Sequence, residues 1–156
     1  MNTKREIFDS IKKEIDLLLS DAGSRDQKLA GICKILNERL PHYDWVGFYL
    51  VNPAHPRELL LGPFVGAPTE HIRIPFGKGI CGQAAANKEV FVVDDVTRET
   101  NYLSCSPFVR SEIVLPILHD GNIVGELDID SHIAGNFDID DRVFLTELCK
   151  NLSLIF

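Results

Sequence analysis

The sequence predicts an α+β domain: a mainly antiparallel sheet, N- and C-terminal helices packed on one side of it, and a loop-covered pocket on the other. Three observations predict it. Apolar residues recur at helical spacing at both ends of the chain, the period falls to two between Trp45 and Ile129, and Asp120-Gly121 joins two such runs as a tight hairpin. A length of 156 residues suits one domain, residues 1–156, able to bury a core of its own.

The helical part comes first, over residues 1–40. Ile7, Ile11, Ile15 and Leu18 form an apolar stripe within residues 4–20. Ser24-Arg25-Asp26-Gln27 reads as a capping box opening a second helix, whose stripe is Leu29, Ile32, Cys33, Leu36 and Leu40. After Pro41 the pattern alternates. Trp45 to Leu50 is a strand with Trp45, Gly47 and Tyr49 on one face and Val46, Phe48 and Leu50 on the other. Glu58–Phe64 and Glu70–Ile74 follow as strands, then a short helix from Ile80 to Asn87 and a strand from Phe91 to Val93. Residues 94–110 read as a long irregular loop, a type of segment that more often carries function than not. Ile113–His119 and Asn122–Ile129 are apolar on both faces and so belong at the centre of the sheet. Asp138 caps a last helix over 138–156, with Phe144, Leu145, Leu148, Cys149, Leu152 and Ile155 inward.

Composition narrows the function classes. The net charge is -7 and the 16 basic residues form no dense cluster, which argues against nucleic acid and anionic membrane as partners. No apolar run reaches the roughly 18 residues of a membrane span, and the N-terminus leads into an amphipathic helix, so a cytoplasmic protein is expected. There its four cysteines are reduced at rest. Cys33, Cys81, Cys105 and Cys149 are far apart, with neither a C-x2-C pair nor a His cluster, so a zinc site is not expected.

The residues suited to chemistry lie between Trp45 and Asp130. Cys33 and Cys149 sit on apolar stripes and read as core. Cys81 follows Gly77-Lys78-Gly79 at a helix start, where the helix field lowers a thiol pKa; the plain alternative is a small apolar residue under a tight turn. Cys105 stands in the long loop, off any stripe, as a nucleophile or as an incidental surface thiol. Asp128 and Asp130 share one strand face, fit to bind an ammonium group or to hold a proton as an acid. Glu126 shares that face and can simply be solvated. Glu112 conflicts with them: an unbroken two-residue hairpin puts it on the opposite face, unless the strand is bulged, at Pro116 for instance, or begins after Glu112. Trp45 and Tyr49 flank Gly47, which leaves a notch between two rings, although aromatic pairs on strands are also ordinary core.

The segments DWVGFYL (44–50), LLLGPFVG (59–66), RIPFGKGICG (73–82), SEIVLPI (111–117) and GELDIDS (125–131) closely resemble the free methionine-R-sulfoxide reductases, single-domain GAF proteins. The likeness runs from about residue 28 to the end. It implies a GAF-like fold and the reduction of free L-methionine (R)-S-oxide. It further implies Cys105 as nucleophile, Cys81 as resolving cysteine, Trp45 and Tyr49 around the substrate methyl group, and Glu112, Asp128 and Asp130 on the amino group and the sulfoxide oxygen. The implied partner is thioredoxin or a similar dithiol, with no metal or organic cofactor required, and the exposed terminal helices would suit a homodimer. Two departures stand out. His71 occupies the place of a further family cysteine, and Tyr102-Leu103-Ser104-Cys105-Ser106 replaces the family's His-Ile-Ala-Cys-Asp. The alternative is a non-catalytic GAF sensor module binding a small amino-acid-like ligand; a redox-active cysteine pair would exclude it.

Overall fold

The computed structural model describes residues 2–103 and 106–156, so the predicted nucleophile Cys105 lies outside the described residues. Helices α1 (Lys4–Ser20) and α2 (Arg25–Arg39) each open on a capping box. The hydroxyl of Thr3 accepts from the Glu6 N–H at 3.2 Å and that of Ser24 from the Gln27 N–H at 3.1 Å. Each such cap stabilises its helix by about 1 kcal/mol. The α1 stripe is rotated slightly from expectation: Phe8, Ile11 and Ile15 are buried, and Ile7 and Leu18 pack at the edge. Phe8 earns that place by stacking on Phe144, ring centroids 4.4 Å apart.

Six strands form one antiparallel sheet: β1 (Trp45–Asn52), β2 (His55–Val65), β3 (Arg73–Pro75), β4 (Phe91–Val93), β5 (Ser111–His119) and β6 (Asn122–Ser131), in the order β3-β2-β1-β6-β5-β4. β3 is shorter than its predicted run, because residues 70–72 turn: the Ile72 N–H donates to the Glu70 carbonyl at 3.0 Å.

The alternation along the strands divides the sheet into two unlike faces. Val46, Phe48, Ile113, Leu115, Ile117, Leu127 and Ile129 point towards α1, α2 and the C-terminal helix α4 (Ile139–Leu152). There they meet Ile11, Leu29, Ile32, Leu36, Leu145 and Leu152. Each such burial contributes about 1.5–3 kcal/mol, and this is the main core. Cys33 and Cys149 are buried in it, and burial pushes the Cys33 thiol up to about 12. The opposite face is covered by α3 (Gly79–Asn87) and by the connection from β4 to β5.

The β5–β6 hairpin turns at Asp120 (φ 51°) and Gly121 (φ 79°), both left-handed, as a type I′ turn demands. It is not regular. His119 pairs with Asn122 and Leu118 with Ile123, but Ile117 pairs with Gly125, which leaves Val124 without an opposite residue. This bulge lies on β6 and not at Pro116 on β5, and it shifts every pair beyond it by one. Gly125 beside it must be glycine: a Cβ there would sit 2.8 Å from the Tyr49 carbonyl oxygen. No helix among the described residues is long and apolar enough to cross a membrane.

Candidate functional site

Directly opposed residues of an antiparallel pair share a face. Trp45 opposes Asp130, Gly47 opposes Asp128 and Tyr49 opposes Glu126. Through the bulge, Glu112 opposes Asp130 and Val114 opposes Asp128. The face conflict at Glu112 is thereby removed: Glu112, Asp128 and Asp130 stand together beneath α3, with Trp45 and Tyr49 beside them. Glu126 belongs to the same group. The alternation already placed it on this face, and of the alternatives open there the solvated one is excluded, because Glu126 is completely buried.

The electrostatics of this cluster are unusual. Glu112 is 4% exposed, Glu126 0%, Asp128 1% and Asp130 1%. Among the described residues none of them pairs with a lysine, arginine or histidine. Both carboxylate oxygens of Glu126, Oδ1 of Asp128 and Oδ1 of Asp130 have no hydrogen-bond partner among the described residues. Charges buried in this way hold on to protons. Burial, then the neighbouring Asp128 and Asp130, pushes Glu112 well above the usual carboxylate range; burial and Asp128 do the same to Glu126 and Asp130. Asp128 is raised too, by burial, but contacts with Glu112 and the Cys81 thiol pull the other way. Asp128 is therefore the member best able to carry the negative charge, with protonated acids around it.

Cys81 lies in the first turn of α3, 6% exposed. Of the two readings open at Cys81, the small buried residue under a tight turn is the one that fits: the lowering of the thiol pKa that a helix start allows does not occur. Burial first, then the charges of Asp128, Glu126 and Glu112, push it well above its ordinary value. A helix N-terminus offers roughly half a positive charge, too little against burial and three acids. Cys81 is thus a protonated thiol facing Asp128 and Glu126. Its sulfur and carboxylate oxygens of Glu112 and Asp128 lie within 4.8 Å of one another.

α3 is tied to the long loop by Asn101. Its Oδ1 accepts from the Gly79 N–H at 2.8 Å, its Nδ2 donates to the Gly77 carbonyl at 2.7 Å, and its own carbonyl accepts from Gln83 Nε2 at 3.0 Å. The loop thereby folds over the helix start, and Leu103 closes onto Gly79. Between them lies a narrow cleft of about 10 Å³, room for about one water molecule, lined by Tyr49, Ile74, Cys81, Leu103, Glu112 and Asp128, with His71 and Lys78 also on its wall. Tyr49 is fixed there by its hydroxyl, which donates to the His71 carbonyl at 2.9 Å. His71, where the family's further cysteine would stand, therefore looks into the same space as Cys81.

Trp45 and Asp130 lie one position further along and do not line this cleft. The notch expected at Gly47 is not empty. The Trp45 indole folds over Gly47, where a Cβ would overlap its ring, stacks on Phe64 at 5.4 Å between centroids, and donates from Nε1 to the Ala67 carbonyl at 3.0 Å.

A six-stranded antiparallel sheet with helices on one face, and a short helix and loop closing over a narrow cleft on the other, is the architecture of a GAF domain, whose family model matches residues 23–156. The chain is 38% identical to protein YtsP of Bacillus subtilis over 96% of its length and 90% of that protein's. It is 35% identical to the free methionine-R-sulfoxide reductase of Escherichia coli, over 97% of this chain and 90% of the relative. The X-ray structure of the free methionine-R-sulfoxide reductase from Neisseria meningitidis in complex with its substrate superposes with a TM-score of 0.86, at 39% identity, covering 97% of this chain and 87% of that one. The chain belongs to the GAF domain family, within its free methionine-R-sulfoxide reductases.

Proposed function

We propose that the protein reduces free L-methionine (R)-S-oxide to methionine. The observation that carries this reading is the buried set Glu112, Asp128 and Asp130, acids without a cation beside a cleft that also holds the Cys81 thiol. A free amino acid brings the missing ammonium group, whereas a peptide-bound residue has none to offer. The names of the relatives and of the substrate-bound neighbour agree with that substrate.

In this reading Cys105 attacks the sulfoxide sulfur as thiolate while a protonated acid, Glu112 being the best placed beside Asp128, passes its proton to the sulfoxide oxygen. Methionine leaves, and the oxygen stays on Cys105 as a sulfenic acid. Cys81 then loses its proton towards Asp128 and its sulfur displaces the oxygen, which departs as water and leaves a Cys81–Cys105 disulfide. Thioredoxin or a similar dithiol reduces this by exchange. The protonated resting state of Cys81 supports the division of labour: such a thiol is a poor first nucleophile and is spared from oxidation until a sulfenic acid arrives. Cys105 follows Leu103 by two residues, and Leu103 itself borders the cleft. The hydrophobic flank, Tyr49 with Trp45 behind it, is suited to the substrate methyl group.

The decisive experiment incubates the reduced protein with resolved R and S free methionine sulfoxide and a dithiol, scoring methionine formed, next to a sulfoxide held inside a folded protein. Methionine from the free R epimer alone is expected. Equal activity on the protein-bound sulfoxide would overturn the free-substrate reading, and binding without turnover would favour a ligand-sensing GAF module.

A further inference from the structure

The sequence spacing of the cysteines rules out a local metal motif, but the fold assembles a non-local one. Cys81 Sγ and carboxylate oxygens of Glu112 and Asp128, all buried, lie within 4.8 Å of one another. A zinc ion bound at about 2.0–2.3 Å spaces its ligand atoms by roughly 3.3–3.8 Å, so these donors need to close by only about 1 Å. The donor set, one thiol and two carboxylates, matches what zinc accepts.

An independent observation points to a cation at the same place. Glu126 packs against the Cys81 thiol, completely buried, and neither of its oxygens has a partner among the described residues; Oδ1 of Asp128 is equally unpartnered. No lysine, arginine or histidine among the described residues pairs with any member of the cluster. Elsewhere in this fold a buried acid is fully provided for: Asp141 takes Lys4 Nζ at 2.6 Å, the Tyr43 hydroxyl at 2.6 Å and the Asp138 N–H at 2.9 Å. The contrast marks the Cys81 cluster as a place prepared for a positive guest.

We propose that Cys81, Glu112 and Asp128, backed by Glu126, form a site for a zinc-type divalent cation, and that the bound ion excludes substrate and withdraws Cys81 from thiol chemistry. Binding is an exchange without redox change: the ion displaces the Cys81 thiol proton and a carboxyl proton to water and forms bonds to sulfur and oxygen. Three protein donors leave a fourth position for Glu126 or a water molecule. The same carboxylates cannot hold an ammonium group while they hold the ion. The ion and the amino acid are therefore mutually exclusive, and the inhibition is reversed by a chelator; this consequence rests on the proposed reductase reading, while the binding site does not.

The test uses the reduced, metal-free full chain and titrates Co2+ as a spectroscopic stand-in for Zn2+. One Co2+ per chain is expected, with a thiolate-to-cobalt charge-transfer band that Zn2+ abolishes and free methionine sulfoxide competes away. Cys81→Ser should remove the band, and Glu112→Gln and Asp128→Asn should each weaken Co2+ binding by about tenfold or more. Cys33→Ser and Cys149→Ser should leave it intact. Absence of the band in the wild type, or its persistence in Cys81→Ser, overturns the proposal. So does unchanged Co2+ affinity in both carboxylate variants, which differ from the wild type by a single group each. Because the readout needs no turnover, an active reductase without the band overturns this site alone, and a Co2+-binding protein without activity overturns the reductase reading alone.

Discussion

The two faces of the sheet are built from the same strands by alternate residues, yet they treat buried polarity in opposite ways. On the helix face the one buried carboxylate among the described residues, Asp141, is held by Lys4, Tyr43 and the cap at Asp138. Lys4 draws Asp138 down to about 2, and burial first, then Asp141 and Asp138, pushes the Tyr43 hydroxyl well up. On the cleft face four acids are buried with no cation among the described residues. A lone buried acid without partners costs stability, and a fold retains several only where something else depends on them. The difference separates a carboxylate that serves the fold from the acids proposed here to serve a ligand.

The largest expected effect is on the cysteines. Cys105→Ser should abolish even a single turnover, while Cys81→Ser should still release about one methionine per chain and stop at a sulfenic acid; thioredoxin-coupled turnover by Cys81→Ser would end the proposed division of labour. Next is Asp128→Asn. It should lower kcat/KM by roughly 10²–10⁴-fold while the melting temperature holds or rises, because a buried charge is removed; an equal loss of stability would make Asp128 a structural residue like Asp141.

The mirror experiment is Asp141→Ala. Losing a cap and two charge-assisted hydrogen bonds should cost about 2–3 kcal/mol, seen as a lower denaturation midpoint, with activity per folded molecule unchanged. A loss of activity without a loss of stability would erase the distinction between the faces.

Acidity gives a subtler contrast. Glu112, Glu126 and Asp130 are raised above their ordinary values of 4.5, 4.5 and 3.8. The folded state therefore keeps protons that the unfolded chain loses, and their stabilisation is fully present below those ordinary values and lost as pH rises through the folded ones. Asp138, lowered from 3.8 to about 2, acts in reverse and loses its contribution only as pH falls towards 2. The free energy of unfolding should decline above pH 5, by at most about 1.4 kcal/mol per pH unit for each titrating group, and Glu126→Gln should flatten that decline. A flat wild-type profile would mean that the cleft acids ionise freely. The smallest effect belongs to Ser24→Ala, about 1 kcal/mol from the lost cap, with no change in activity.

Much of this was legible in the sequence where the cause is local. The span of α1, the Ser24 and Asp138 caps, the Asp120-Gly121 turn and the core placement of Cys33 and Cys149 follow from periodicity and turn chemistry. The errors fall where the cause is tertiary. The helix position of Cys81 points to a lowered thiol pKa, and burial together with three acids from β5 and β6 reverses the sign. Alternation leaves Glu126 free to be wet or buried because it names a face but not what covers it, and α3 covers this one. The Gly47 notch was foreseen, but not that the indole two residues earlier would fill it.

Val124, the residue without an opposite, gives the site a dependence on parity. It stands about 20 Å along the strand from Asp130 and touches no chemistry, yet it decides whether odd or even positions of β5 meet the acids of β6. Were β6 to run on regularly from the turn with Val124 paired, Glu112 would come to oppose Ile129 and turn towards the helices. Deleting Val124 is therefore expected to remove the bulge and keep Glu112 opposite Asp130, whereas losing one residue of β5 between Glu112 and Ile117 would set Glu112 against Ile129 and dismantle the acid cluster. The hairpin tip, exposed and free of catalytic groups, is in this sense a counting device whose tolerance is set by arithmetic and not by chemistry.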